Sequence, residues 1–125
     1  MEENAFLEAS ETGDLEAVKK HLKDGANVNT SDEHNRTALM KAAKHGHLDV
    51  VQYLLEHGAD VNIRDNRGTS ALYWASSNGY DNIVQLLIQH HSDVVVVDDR
   101  GWSAKDQASS HHYDSIVQML EEAGA

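Results

Sequence analysis

The sequence predicts an all-α solenoid of about four stacked helix-turn-helix repeats with protruding β-hairpin turns, its first and last repeats serving as caps. Three observations carry that prediction. The 125-residue chain matches itself at a shift of 33 positions: Asp32 recurs as Asp65 and Asp98, Thr37 as Ser70 and Ser103, Ala42 as Ala75 and Ala108, and Val50-Val51-Gln52 as Ile83-Val84-Gln85 and Ile116-Val117-Gln118. Within 32–64 the apolar residues fall first at Ala38, Leu39, Ala42 and Ala43, then at Leu48, Val50, Val51, Leu54 and Leu55. This is the one-sided spacing of two short helices, neither of which is long enough to stand alone. Glycine then punctuates the unit, Gly46 between the two apolar sets and Gly58 after the second, so the pair folds back and closes with a left-handed cap.

Residues 1–31 are expected to form the N-terminal cap. Phe6, Leu7 and Ala9 give its first helix an apolar side, and Glu2, Glu3, Glu8 and Glu11 keep the other side wet. In its second helix Lys19, Lys20 and His21 stand where the next repeat has Gln52, Tyr53 and Leu54, as suits a face that no earlier repeat covers. Residues 32–64 form the first complete unit, with Thr37 expected to cap its first helix. In the third repeat, 65–97, His91 takes the place of Gly58 and Val95 that of Asn62. A histidine at positive φ is strained, and a valine lacks the hydrogen bonds an asparagine would make in the hairpin. Val94-Val95-Val96-Val97 is therefore expected as an exposed finger flanked by Asp93, Asp98 and Asp99. The last unit, 98–125, sets Lys105, Asp106, Glu121 and Glu122 where repeat two has Leu39, Met40, Leu55 and Glu56, as a C-terminal cap requires. His112 stands at the mid-repeat glycine position. The whole of 1–125 reads as one domain.

Composition excludes several functions. With 21 acidic against 10 basic residues the net charge is −11, which repels nucleic acid and anionic membrane over most of the surface. No apolar run reaches the length of about 20 residues that spans a bilayer, and Met1-Glu2-Glu3-Asn4 lacks the basic start of a signal peptide. The absence of cysteine removes disulfides and thiolate chemistry, and the cytoplasm is the default compartment. Polar caps and net charge together favour a monomer.

Nine histidines raise the question of a metal, above all His90-His91, His111-His112 and His45 with His47. Neighbours on a helix diverge by about 100°, and no HExxH or comparable ligand set is present. Ser109-Ser110-His111-His112 with Asp114 assembles the residue types of a hydrolase, but on one local helix without a nucleophile elbow or oxyanion turn. No glycine-rich phosphate loop is present either. No catalytic residue, metal or cofactor is expected.

The stretch TALMKAAKHGHLDVVQYLLEHGADVN, with its period and its closing Gly58-Ala59-Asp60-Val61-Asn62, resembles the ankyrin repeat. The likeness covers nearly the whole chain. It departs at the proline after threonine, which is Ala38, Ala71 and Ala104 here, and at the following histidine, which is Met40, Tyr73 and Asp106. The resemblance implies a protein or peptide partner lying across the hairpin tips and inner helices. In repeat two that surface would comprise Glu33, His34, Arg36, Lys41, Lys44 and His45. Repeat three would add Asn66, Arg67, Thr69, Trp74, Ser77 and Asn78, and repeat four Asp99, Arg100, Trp102, Gln107, Ser110 and His111. The cap would contribute Glu8, Glu11 and Thr12.

In repeats two to four this set carries five basic residues against two acidic ones, a local charge of +3 that leaves −14 for the remainder. Both tryptophans fall in it. The expectation is a non-catalytic interaction module that holds a partner with acidic and apolar residues, chiefly through Trp74 and Trp102. A small regulator that occludes an enzyme is the alternative; a histidine-based metal protein or a hydrolase is a third.

Overall fold

The computed structural model describes residues 2–125, the side chain of Glu2 excepted, so Met1 and the expected wet side of Glu2 lie outside the described residues. Among the described residues there are eight helices in four pairs: α1 (Glu2–Thr12) with α2 (Leu15–Lys23), α3 (Ala38–Lys44) with α4 (Leu48–Glu56), α5 (Ala71–Ser77) with α6 (Asp81–Gln89), and α7 (Ala104–Ser110) with α8 (Asp114–Glu122). The first helices stack closely in series, α1 on α3, α3 on α5 and α5 on α7, while the second helices form a looser row behind them. No strand forms among the described residues. Isolated antiparallel bridges at Ser31–Thr37 and Val97–Ser103 mark two hairpin turns. Phe6, Val18, Leu39, Leu54, Leu72, Leu87, Ile116 and Leu120 lie fully buried along the stack, each such side chain contributing about 1.5–3 kcal/mol.

The hydroxyls of Thr37, Ser70 and Ser103 cap the inner helices, accepting from the amides of Met40, Tyr73 and Asp106. Asp106 reciprocates by accepting from the Ser103 amide at 2.9 Å, which completes a capping box. Its charge therefore serves its own helix as well as the polar end, and Lys105 meets Glu121 at 3.1 Å. The second helices start differently. Asp14 caps α2 through its carboxylate, but the equivalent His47, Tyr80 and Tyr113 make no side-chain cap bond. Their rings instead cover Gly13, Gly46 and Gly79 of the preceding repeat. Gly46 has φ +78°, and a Cβ there would come within 2.8 Å of the Tyr80 ring. Glycine is thus required twice over, by the backbone and by the neighbouring repeat.

His91 does adopt positive φ, at 67°, and His112 does so at 61°. Asn35, at φ 62°, was not anticipated; it shares a repeat position with Gly68 and Gly101. Because His91 is exposed, His91→Gly is expected to relieve about 1 kcal/mol of backbone strain and to raise the thermal midpoint by a few degrees. A melt with an unchanged or lower midpoint would show that the side chain offsets the strain.

The valine finger differs from expectation. Val94 and Val96 are buried, and only Val95 (65% exposed) and Val97 (46%) face solvent; extended backbone sends alternate side chains to opposite sides. The asparagines of this position also do something other than bond within their own hairpin. Asn29 and Asn62 accept the amides of Asp60 and Asp93 in the following repeat, each at 2.8 Å.

The histidine missing from the inner helices leaves no gap in the inter-repeat bonding. Tyr73 donates its hydroxyl to Asp98 in the next repeat at 2.6 Å and accepts from Gln107 Nε2 at 2.7 Å. Ser77 donates to Gln107 in turn. One repeat earlier Arg36 reaches Asp65 at 3.2 Å. Different side chains at each junction perform the same joining.

Candidate functional site

The surface is built around Trp74 on α5. Its indole N–H donates to Thr69 Oγ1 at 2.9 Å, and its ring meets Tyr73 edge-on with centroids 5.4 Å apart. Lys44 Nζ lies 4.7 Å from the Trp74 ring centroid and the Arg36 guanidinium carbon 5.9 Å. The indole is therefore fixed at its polar edge, and two cations attracted by the π system sit over the ring, each contact worth about 0.5–1 kcal/mol where exposed. Trp74, Glu11, Arg36, Met40, Lys41, Lys44 and His45 line a narrow cleft of about 30 Å³ that spans the first helices of three repeats.

Thr69 corrects the sequence reading. It is fully buried at 0% exposure, its amide bonded to Asp65 Oδ1 at 2.9 Å, and so it is out of a partner's reach. Its work is to orient Trp74. The aspartate at the head of each hairpin was visible as a recurring letter without a role. Asp32 accepts from the amides of His34 and Arg36, Asp65 from those of Arg67 and Thr69, and Asp98 from those of Arg100 and Trp102. Burial alone would raise the pKa of Asp65, but the bonds from Thr69, the Arg67 amide and Arg36 prevail and hold it below the usual carboxylate range. Asp32 is lowered in the same way, by amide bonds and Lys41 against burial. At Asp98 the Tyr73 hydroxyl is the main cause of the lowering. Tyr73 itself is pushed up to about 12, first by burial and then by its bond to Asp98.

These aspartates change the expected charge of the surface. Of its five cations, Arg36 is paired with Asp65, Lys41 with Asp32 at 3.0 Å and Glu11 at 3.5 Å, and Arg67 with Asp99 at 3.6 Å. Lys44 and Arg100 have no ion-pair partner among the described residues. Asp32 and Asp65 stand outside the set that carries +3, and with these two partners included its surplus falls to +1; Asp99, which meets Arg67, already belongs to the set.

The two tryptophans also stand apart. Trp102 occupies the repeat position of Arg36 and Thr69, is 43% exposed, and borders a broad depression of about 460 Å³ with Arg100, Gly101, Asp106, Ser109 and Ser110. No residue lines both hollows. Several of the other expected contact residues join repeats to one another: Asn78 donates to the Lys44 carbonyl at 3.1 Å, and Asn35 to Asn66 Oδ1 at 2.6 Å. Ser77 and Gln107 belong to the Tyr73 network. His34, His45 and His111 remain exposed; His45 stacks on His47 and His111 on Tyr113. Glu8 and Thr12 lie with Asn4 and Asp14 along a hollow beside α1. The sequence reading missed Tyr73 and Asp98, and the 33-residue register pairing each hairpin aspartate with the preceding inner helix was the signal that could have found them.

No cluster of three or more His, Asp or Glu side chains suited to a metal ion forms among the described residues. Among them, too, no helix is long and apolar enough to cross a membrane. A family model described as ankyrin repeats in three copies matches residues 5–98 and 61–125. No curated protein matches the chain.

Proposed function

The chain belongs to the ankyrin-repeat family, whose members are in general protein-protein interaction modules and typically non-catalytic, and from that premise we propose that it binds a protein or peptide partner across its inner helices and hairpin turns. The observation that carries this reading is the Trp74 constellation. An indole is held on the inner surface by a buried threonine and two cations, its polar edge already satisfied and the residue only half-buried. Tryptophan and arginine are the commonest interface anchors, and an anchor fixed in advance loses little rotamer freedom on binding. Trp102 with Arg100 is a second, separate contact. The partner offers acidic and apolar residues, the protein acts as a monomer, and the cytoplasm is the compartment we propose.

The test compares an affinity-captured partner's binding to the wild type with its binding to variants on the two sides of the stack. Trp74→Ala is expected to cost about 2 kcal/mol or more, mainly through faster dissociation. Arg100→Ala should chiefly slow association. Gln52→Ala and Gln85→Ala, on the second helices, should change neither, and circular dichroism of each variant excludes unfolding. Affinity that ignores Trp74 but responds to Gln52 or Gln85 would reject the reading. Stoichiometric addition to an enzymatic partner then separates an occluding regulator from a passive adaptor.

A further inference from the structure

We propose that the cleft beside Trp74 receives one carboxylate side chain of a peptide partner, and that Glu11 of the first repeat holds that place in the free protein. The inference rests on the binding surface proposed above and gives its chemistry. The charges around the cleft are committed to different degrees. Arg36 is tied to Asp65, whose side chain is only 1% exposed. Lys41 is held by the sheltered Asp32 at 3.0 Å and reaches Glu11 only at 3.5 Å. Lys44 has no carboxylate partner among the described residues and rests on the Trp74 ring. Glu11 is thus the loosest anion of the group: its side chain is 47% exposed and its one ion-pair contact is long. A cation without a partner, a second cation with a displaceable one, and a narrow opening between them make a receptor for a single negative group.

Size and surroundings limit what that group is. The cleft is small, about 30 Å³, and the Glu11 carboxylate on its rim already lies within 3.5 Å of Lys41, so a carboxylate is the group this place accommodates. Buried Met40 and the indole supply apolar walls, and shielding from water strengthens a charge-assisted bond to Lys41 and Lys44. Binding exchanges one ion pair for another: the partner's carboxylate takes the place of Glu11, which swings into solvent. An apolar side chain next to that carboxylate would pack on the half-buried Trp74. The partner is therefore an acidic peptide segment with an apolar neighbour to its Glu or Asp.

Three immobilised libraries of synthetic peptides about ten residues long test this, with random flanks around a central Glu, Gln or phosphoserine. The readouts are the amount of protein retained and, in a Trp102→Phe background, the emission of Trp74. The Glu library is expected to retain about tenfold more protein than the Gln library, a preference that Lys44→Gln abolishes. Glu11→Gln should raise retention on the Glu library by about three- to tenfold, because the resident competitor is gone. Equal retention on Glu and Gln, with binding still lost in Trp74→Ala, would overturn the carboxylate site and leave the groove reading intact. Retention indifferent to Trp74→Ala, or absent from all three libraries, would remove the groove reading and this inference with it. Tighter binding of phosphoserine than of Glu would reject the carboxylate in favour of phosphate, and an unchanged Glu11→Gln would reject the placeholder.

Discussion

Asp98→Ala is expected to lower the folding stability by about 3 kcal/mol and the thermal midpoint by about 10 °C or more. The carboxylate is buried and accepts three hydrogen bonds: from the Tyr73 hydroxyl at 2.6 Å, the Arg100 amide at 2.8 Å and the Trp102 amide at 2.9 Å. Alanine would leave the Tyr73 hydroxyl without its acceptor between two repeats and the hairpin amides without theirs. Each bond to an ionised acceptor is worth about 1.5–3 kcal/mol, and the two amides recover part of that from water. Denaturant melts would measure the loss. A cost below about 1 kcal/mol would mean that the hairpin rearranges and that Gln107 alone satisfies Tyr73.

The same bonds set the response to pH. Asp32, Asp65 and Asp98 have lowered pKa values in the folded state, so folding favours their ionised forms. Their contribution is fully present above the unfolded carboxylate value of about 3.9 and is lost as pH falls through the lower folded values. Stability should therefore fall below about pH 4, and less steeply in Asp98→Ala, which has one such group fewer. Tyr73 works in the opposite direction. Its pKa, raised to about 12, contributes stability that is present below its unfolded value of about 10 and lost as pH rises toward 12.

The fold was legible because it rests on features with a period. Apolar spacing, hydroxyl caps and turn glycines repeat every 33 residues, and each acts within its own unit, so the sequence could be read one repeat at a time. The His91 backbone was legible for the same reason, since Gly58 one repeat earlier announces what that position must do. What acts between units was not. Tyr73 and Asp98 are 25 residues apart, and Arg36 and Asp65 are 29 apart; neither pair forms a local pattern. Those pairings decided the fate of the candidate site. Thr69 looked like a surface residue until Trp74 required its oxygen, and Arg36, Lys41 and Arg67 looked unpaired until Asp65, Asp32 and Asp99 turned toward them. Trp74 is half-buried and fixed by Thr69 and two cations, contacts that its letter in the repeat did not announce.

Gly46→Ala should cost about 2–4 kcal/mol, clearly more than Gly58→Ala at about 1 kcal/mol, although both glycines end a helix with positive φ. At Gly58, φ +89°, an added Cβ meets nothing within 4 Å, so only the backbone penalty applies. At Gly46, φ +78°, the same atom comes within 2.8 Å of two carbons of the Tyr80 ring. Either the ring is displaced or the second repeat moves away from the third, and displacing a packed side chain adds about 1–3 kcal/mol. The excess over Gly58→Ala should disappear in a Tyr80→Ala background, where no ring remains to collide with. If the two alanine variants are equally destabilised with Tyr80 present, the ring swings aside freely and does not lock the repeats. The comparison bears on binding because Gly46 and Tyr80 join the same two repeats that supply Lys44 and Trp74. A junction loosened there would let those anchors drift apart, so Gly46→Ala should weaken partner binding even though neither residue touches the cleft.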